Sequence, residues 1–327
     1  KALMLYTVKR RTREGYALLE YALEVALEND IPSAALRAYY NLADLDCQSD
    51  QNEEGRGHTD AGLALARRVG NRFWEWNFLG QLYAYYILGE WDTMFALAAE
   101  QPTDKAAANR GAFLQYLGVL PRVHLLRGDL EEAKRTMTVF PDAASSDDIQ
   151  ERASYYATRA AILRAEGRAE EALSNAQKAV AIRLTLGMGA DSIKEAFLEG
   201  IEAAFEMGDL TQVEVNLRIL EDTPRGKRSR YLEAHAFRFR ARLAAARGDD
   251  ASVEPAFKTA VGMLVELAVP FWAAVARLEH AEWLAERGRT GEAQPLIAGA
   301  SPVFERLRAA PFLERARAIE SASVETS

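Results

Sequence analysis

Four histidines, one cysteine and three pairs of adjacent glutamates are the residues of this 327-residue chain whose chemistry is easiest to recognise. His58, His124, His235 and His280 include no H-E-x-x-H and no two histidines three or four residues apart, so no helix face offers a zinc ion two imidazoles. Cys47 stands alone, which excludes an intramolecular disulfide and a multi-thiolate metal site and fits a reducing compartment. Glu53-Glu54, Glu131-Glu132 and Glu170-Glu171 could do acid–base chemistry as carboxylate pairs. They return at one position of a repeat, however, where carboxylates at a helix start complement the helix dipole. No G-x-x-x-x-G-K-[ST] loop occurs. Gly55-Arg-Gly57-His-Thr59 lacks the lysine that would reach a phosphate, and Gly187-Met-Gly189 lacks the third glycine of a dinucleotide fingerprint. The expectation is a non-enzymatic protein with no catalytic residues, no metal site and no cofactor.

Composition narrows the partners. Hydrophobic residues make up 49% and charged residues 27%, enough for a sizeable core and against disorder. The formal net charge of -8 repels nucleic acid and anionic membranes. Two basic runs, Lys9-Arg10-Arg11-Thr-Arg13 and Arg225-Gly-Lys-Arg-Ser-Arg230, fall in turns or connectors and read as solvated loops. Nucleic acid and membrane are therefore not expected as direct partners. No apolar run approaches 18 residues and no signal peptide is recognisable, so a cytoplasmic location is expected. The chain opens at Lys1, and its first residues read as the end of a broken helix; a fragment of a longer protein is expected.

The elements that must position these residues are helices in register. Gly89, Gly128, Gly167, Gly208, Gly248 and Gly288 are separated by 39, 39, 41, 40 and 40 residues, each between two apolar helical stretches. A glycine there supplies the positive φ that ends one helix and reverses the chain. Asp50 continues the series backwards, and Asp129, Asp209 and Asp249 are placed to cap the second helix. Five residues after the turn the side chain is small or β-branched (Gly55, Ala133, Ala172, Val213, Val253, Ala293). Eleven residues before the turn it is large (Phe78, Leu117, Tyr156, Phe197, Phe237), which predicts a large-into-small interlock. Pro32, Pro102, Pro141, Pro224, Pro270 and Pro311 lie between units. Pro255 and Pro295 are expected in first turns, and Pro121 and Pro302 are expected to kink their helices.

This pattern resembles the tetratricopeptide repeat, with units of about 40 rather than 34 residues. The resemblance implies an all-α fold: a right-handed superhelical solenoid of antiparallel helix pairs. Residues 1–327 would form a single helical-repeat domain of about seven pairs plus a C-terminal helix. Leu284–Ala293 and the stretch from Phe304 to Ala316 are also similar to the C-terminal repeats of bacterial multidomain signalling proteins. Those place a cyclase-like or DNA-binding module and a nucleotide-switch ATPase ahead of a helical repeat sensor. The implied role is a regulatory or scaffold module in signal transduction, with other domains of a longer parent as partners.

By the same resemblance, the first helix of each pair lines a concave groove. Its groove-facing positions hold Arg37 and Tyr40, then Trp76, Tyr83 and Tyr86, then Arg122, and further on Arg164, His235, Arg238 and Arg242. Nine of the 23 residues from Phe73 to Phe95 are aromatic, which makes Trp76, Tyr83 and Tyr86 a candidate hot spot flanked by arginine. The basic residues give this face a positive bias, so an acidic protein or peptide is the expected partner. Packing of Trp76 and Tyr83 against the neighbouring repeat is the alternative. A small-molecule sensor that relays a signal to an attached ATPase, cyclase or transcription-factor module is the second functional reading.

Overall fold

The computed structural model describes residues 11–324, with side chains through residue 321. The broken helix read at the chain's opening, and Lys9 and Arg10 of the first basic run, lie outside the described residues. Among the described residues the chain is all-helical, without a strand.

The turn series appears as read. Gly89, Gly128, Gly167, Gly208, Gly248 and Gly288 have φ between 69° and 92°, and Asp50 stands at 62°. A second series, in which Asp30, Gly70, Ala268 and Arg308 have φ of 50°, 68°, 53° and 57°, ends helices where one pair gives way to the next. Three of those four are not glycine, so a search for glycine punctuation passes over them. Asp129 and Asp209 cap as expected, accepting from the backbone N–H of Glu132 (3.1 Å) and Gln212 (2.9 Å). Asp249 does not; it accepts from the Ser252 hydroxyl at 2.6 Å instead.

The chain divides into two compact units. The first holds the described residues through Tyr85 and Asp92–Gln115; the second holds Tyr86–Trp91 and the described residues from Tyr116 onward.

Regular pairing opens the first unit with α1 (Thr12–Glu28), α2 (Pro32–Gln48) and α3 (Asn52–Arg68). Leu19, Leu23, Leu36, Leu42, Leu63 and Phe78 form its core. The interlock is tight here: a methyl on Gly62 would lie 2.2 Å from the Phe78 ring, so only glycine admits that ring. The next first helix was expected to be continuous. Instead it breaks into α4 (Arg72–Leu79) and α5 (Tyr83–Ile87), followed by α6 (Trp91–Ala99) and two 3-10 segments, Thr103–Ala108 and Arg110–Tyr116. The cause is a close backbone approach, since a Cβ on Gly80 would lie 2.0 Å from the carbonyl oxygen of Ala112. The Gln101 amide fills the broken ladder, donating to the carbonyls of Trp76 (2.9 Å) and Ala112 (2.8 Å).

The second unit contains α7 (Val119–Arg127), α8 (Leu130–Met137), α9 (Ile149–Ala165), α10 (Ala169–Ala181), α11 (Arg183–Leu186), α12 (Asp191–Glu206) and α13 (Leu210–Asp222). It continues through α14 (Arg230–Arg247), α15 (Asp250–Glu266), α16 (Pro270–Glu286), α17 (Thr290–Leu307) and α18 (Ala310–Val324). Pro121 falls in the first turn of α7, which needs no donor there, and so does not interrupt a helix as expected. Pro255 and Pro295 sit inside α15 and α17, past the first turn where they were expected. Ala133, Ala172, Val213, Val253 and Ala293 are all fully buried, as their register requires.

First helices pack on first helices in the order α7, α9, α12, α14, α16, α18, and α18 returns to α7. The contacts therefore close a circuit within this unit. The Trp91 ring lies 5.1 Å from Phe271, Arg127 Nε donates to the Leu307 carbonyl at 3.0 Å, and Arg306 Nη1 donates to the Gly89 carbonyl at 3.1 Å.

Candidate functional site

The groove-facing positions of the second unit come together, but not as an open groove. Arg122 on α7, Arg164 on α9, and His235, Arg238 and Arg242 on α14 all face acidic residues of neighbouring first helices. The acids are Glu195, Glu199, Glu202 and Glu206, which share one face of α12 at helical spacing, and Glu279 on α16. Arg122 Nη1 donates to Glu199 (2.9 Å) and lies 3.4 Å from Glu195. Arg164 donates to Glu199 (2.9 Å) and Glu206 (2.8 Å). Arg238 donates through Nε and Nη2 to both oxygens of Glu279 (2.6 and 2.5 Å) and through Nη2 to Glu202 (2.6 Å). Arg242 donates to the other oxygen of Glu202 at 2.7 Å.

The positive bias expected of this face is thus cancelled by its neighbours. Tyr86, Arg122, His235 and Arg238 are buried, and so is Tyr83 in the first unit, which corrects the expectation that these five present an accessible surface. Arg164 and Arg242 are half-buried and paired. The signal that sequence reasoning missed was the Glu195/Glu199/Glu202/Glu206 stripe. It was as legible as the basic one, but its meaning depends on which helix lies next to which.

Electrostatics follow from this burial. Desolvation alone would raise the Glu202 carboxyl, yet the guanidiniums of Arg242, Arg238 and Arg164 outweigh it and hold it well below the usual carboxylate range. Burial pushes the His235 imidazole well below its ordinary value, and Arg238 acts in the same direction. Its ring sits among Tyr231 (4.6 Å), Trp272 (4.9 Å) and Phe239 (6.1 Å). Neither His235 nitrogen, nor Arg122 Nη2, nor Arg238 Nη1 has a hydrogen-bond partner. An imidazole kept neutral beside a Glu202 carboxylate kept ionised is poorly suited to trade a proton with it, while burial raises the Glu206 carboxyl. Among the described residues, no group of three or more His, Cys, Asp or Glu could hold a metal ion.

In the first unit, Arg37 is exposed and Tyr40 half-buried, its ring 5.6 Å from Trp74 and 6.0 Å from Phe78. Trp76 is half-buried and packs against the core. The break at Gly80 removes the helical register that would have aligned Trp76 with Tyr83 and Tyr86. A cluster not anticipated from sequence lies on α1–α3: buried Asp46 accepts from the Tyr16 hydroxyl (2.6 Å) and pairs with His58 Nδ1 (2.7 Å). Burial, followed by this carboxylate, raises the Tyr16 phenol. It is a buried clamp between helices.

A half-open groove of about 290 Å³, open solvent included, lies at the junction of α13 and α14. Met188, Leu220, Leu232 and Ala236 supply its apolar lining, and Glu221, Arg228, Ser229 and Glu233 its polar lining. It adjoins the second basic run, a place not connected with a recess by sequence reasoning. Neither a family model nor a curated protein matches the sequence.

Proposed function

We propose that this chain is a non-enzymatic regulatory or scaffold module of tetratricopeptide-like repeats, stacked in the right-handed sense of that family, that binds a protein or peptide. The observation that carries this reading is the fate of the ionisable groups on the first helices. Arg122, Arg164, Arg238 and Arg242 are spent on Glu199, Glu202, Glu206 and Glu279 of neighbouring helices, which supports a structural role for these groups. Recognition then falls to surfaces outside that network. A cytoplasmic setting within a longer signalling protein belongs to the same proposal. It is supported by the lone buried Cys47 and by the absence, among the described residues, of a helix long and apolar enough to cross a membrane.

The second reading, a small-molecule sensor, is favoured by one observation: the buried nitrogens of His235, Arg122 and Arg238 without hydrogen-bond partners. A peptide-display selection on the full chain, run beside a thermal-shift screen of small polar metabolites, separates the two. The peptide reading expects selected peptides that bind saturably in calorimetry. A metabolite that raises Tm in proportion to ln[ligand], with no peptide selected, would overturn it in favour of the sensor.

A further inference from the structure

We propose that the groove between α13 and α14 binds a short acidic peptide through one apolar anchor residue, with Arg225 and Lys227 pairing its carboxylates. This deepens the peptide-binding function proposed above and rests on it.

Four observations converge. First, the recess is small. Its roughly 290 Å³ includes open solvent, so the space inside its rim is smaller still and admits at most a single side chain. Second, its lining is apolar where an anchor would sit, on Met188, Leu220, Leu232 and Ala236. Third, apolar surface continues beside it. Leu184, four residues before Met188 in sequence, is 76% exposed, and Phe237, which follows Ala236 in sequence, is 37% exposed. Phe237 occupies the register slot that buries Phe78, Leu117 and Phe197 and half-buries Tyr156, and it is the exposed member of that set.

The fourth observation is charge. The groove's own carboxylates are neutralised: Arg240 grips Glu221 with two bonds of 2.7 and 2.6 Å, and Arg228 lies 3.9 Å from Glu233. Arg228 is further fixed by donating to the carbonyls of Thr223 and Glu221. Arg230 is spent on Glu266 at 2.7 Å. Arg225 and Lys227, on the 3-10 turn Arg225–Lys227, are exposed and form no ion pair among the described residues, and Asp222 is the exposed carboxylate nearest them in sequence. The turn that leads into Arg228 of the lining therefore carries two exposed cations on a chain whose total is -8. An apolar recess reached from a cationic turn selects a ligand that is apolar at one point and anionic beside it.

The test uses the full chain and three fluorescein-labelled ten-residue peptides, read by anisotropy. One carries aspartate and glutamate around a central leucine; the second replaces the acids with lysine; the third replaces the leucine with serine. The first should bind saturably, and the other two about tenfold more weakly or worse. Arg225→Glu/Lys227→Glu should weaken the acidic peptide about tenfold at low salt, with a loss that shrinks as salt rises. Met188→Glu should weaken it at every salt concentration. Both variants lie on an exposed or half-exposed loop, and an unchanged circular dichroism melt shows that they fold. Equal binding of the lysine peptide overturns the acidic partner. Display-selected peptides that bind the chain unaffected by either variant overturn the groove and leave the general peptide-binding reading standing. If no peptide binds anywhere, both fall together.

Discussion

Two stretches of this chain carry the same punctuation and fold differently. From Ile149 to Leu307, glycines at 167, 208, 248 and 288 separate long, mostly unbroken helices whose first members interlock through buried and half-buried Arg–Glu pairs. From Arg72 to Gly128, Gly89 and Gly128 lie 39 residues apart, close to the 40 or 41 of the regular stretch, and have the same left-handed φ. Yet the helix before each is fragmented: one is broken at Gly80, and the other starts only at Val119 after two 3-10 segments. The turns are equivalent and the helices are not. A left-handed residue dictates where the chain reverses, while continuity of a helix depends on what presses against its middle.

The largest effect expected in the regular stretch comes from breaking its ion-pair chain. Arg238→Ala leaves Glu279 and Glu202 to share Arg242, at 3.3 and 2.7 Å, a loss of up to about 3–5 kcal/mol by chemical denaturation. A loss under about 1 kcal/mol would mean that these charges are solvated and that the comparison is drawn in the wrong place.

The irregular stretch should answer most sharply at its break. In Gly80→Ala the new methyl would meet the Ala112 backbone, which has no flexible end to move aside; the expected loss is about 1–3 kcal/mol or more. The counterpart in the regular stretch is Gly262→Ala on α15, where a Cβ meets nothing within 4 Å and helix propensity alone acts, so stability should rise by up to about 1 kcal/mol. Equal responses at the two glycines would erase the distinction.

A subtler test is pH. The folded-state pKa of His235 is depressed by burial and by Arg238, so below the ordinary imidazole value of 6.5 the unfolded chain binds a proton that the folded chain refuses. Its contribution to stability is complete above about pH 6.5 and is lost as pH falls below that value towards the folded pKa. The limiting slope is about 1.4 kcal/mol per pH unit for one proton. Burial also lowers His124 and His280, so the whole chain should be steeper than one proton allows. His235→Phe should remove about one proton from the measured slope between pH 6.5 and 5.5. An unchanged slope would show that the imidazole is hydrated in the folded state.

The smallest change concerns the second turn series. Ala268, at φ 53°, carries a left-handed conformation that costs a non-glycine residue roughly 1 kcal/mol. Ala268→Gly should relieve that strain and raise the denaturation midpoint slightly; a fall would mean that the lost methyl packs better than the strain costs.

What the residues determined by themselves was local and periodic. The reversal points at Gly89 through Gly288, the buried small slots such as Ala172, and the caps at Asp129 and Asp209 follow from backbone sterics and side-chain size, which act over a few residues. The basic stripe of α14 and the acidic stripe of α12 were equally readable as stripes. Their mutual cancellation was not, because it depends on helices some 40 residues apart lying side by side. Tertiary structure alone decided the break at Gly80, imposed by the carbonyl of Ala112, and the return of α18 onto α7. It also decided the clamp of Asp46 on Tyr16 and His58, and the recess beside Arg225 and Lys227. Each of these is a contact between segments distant along the chain or a space left between packed elements, and periodicity along one helix carries no record of either.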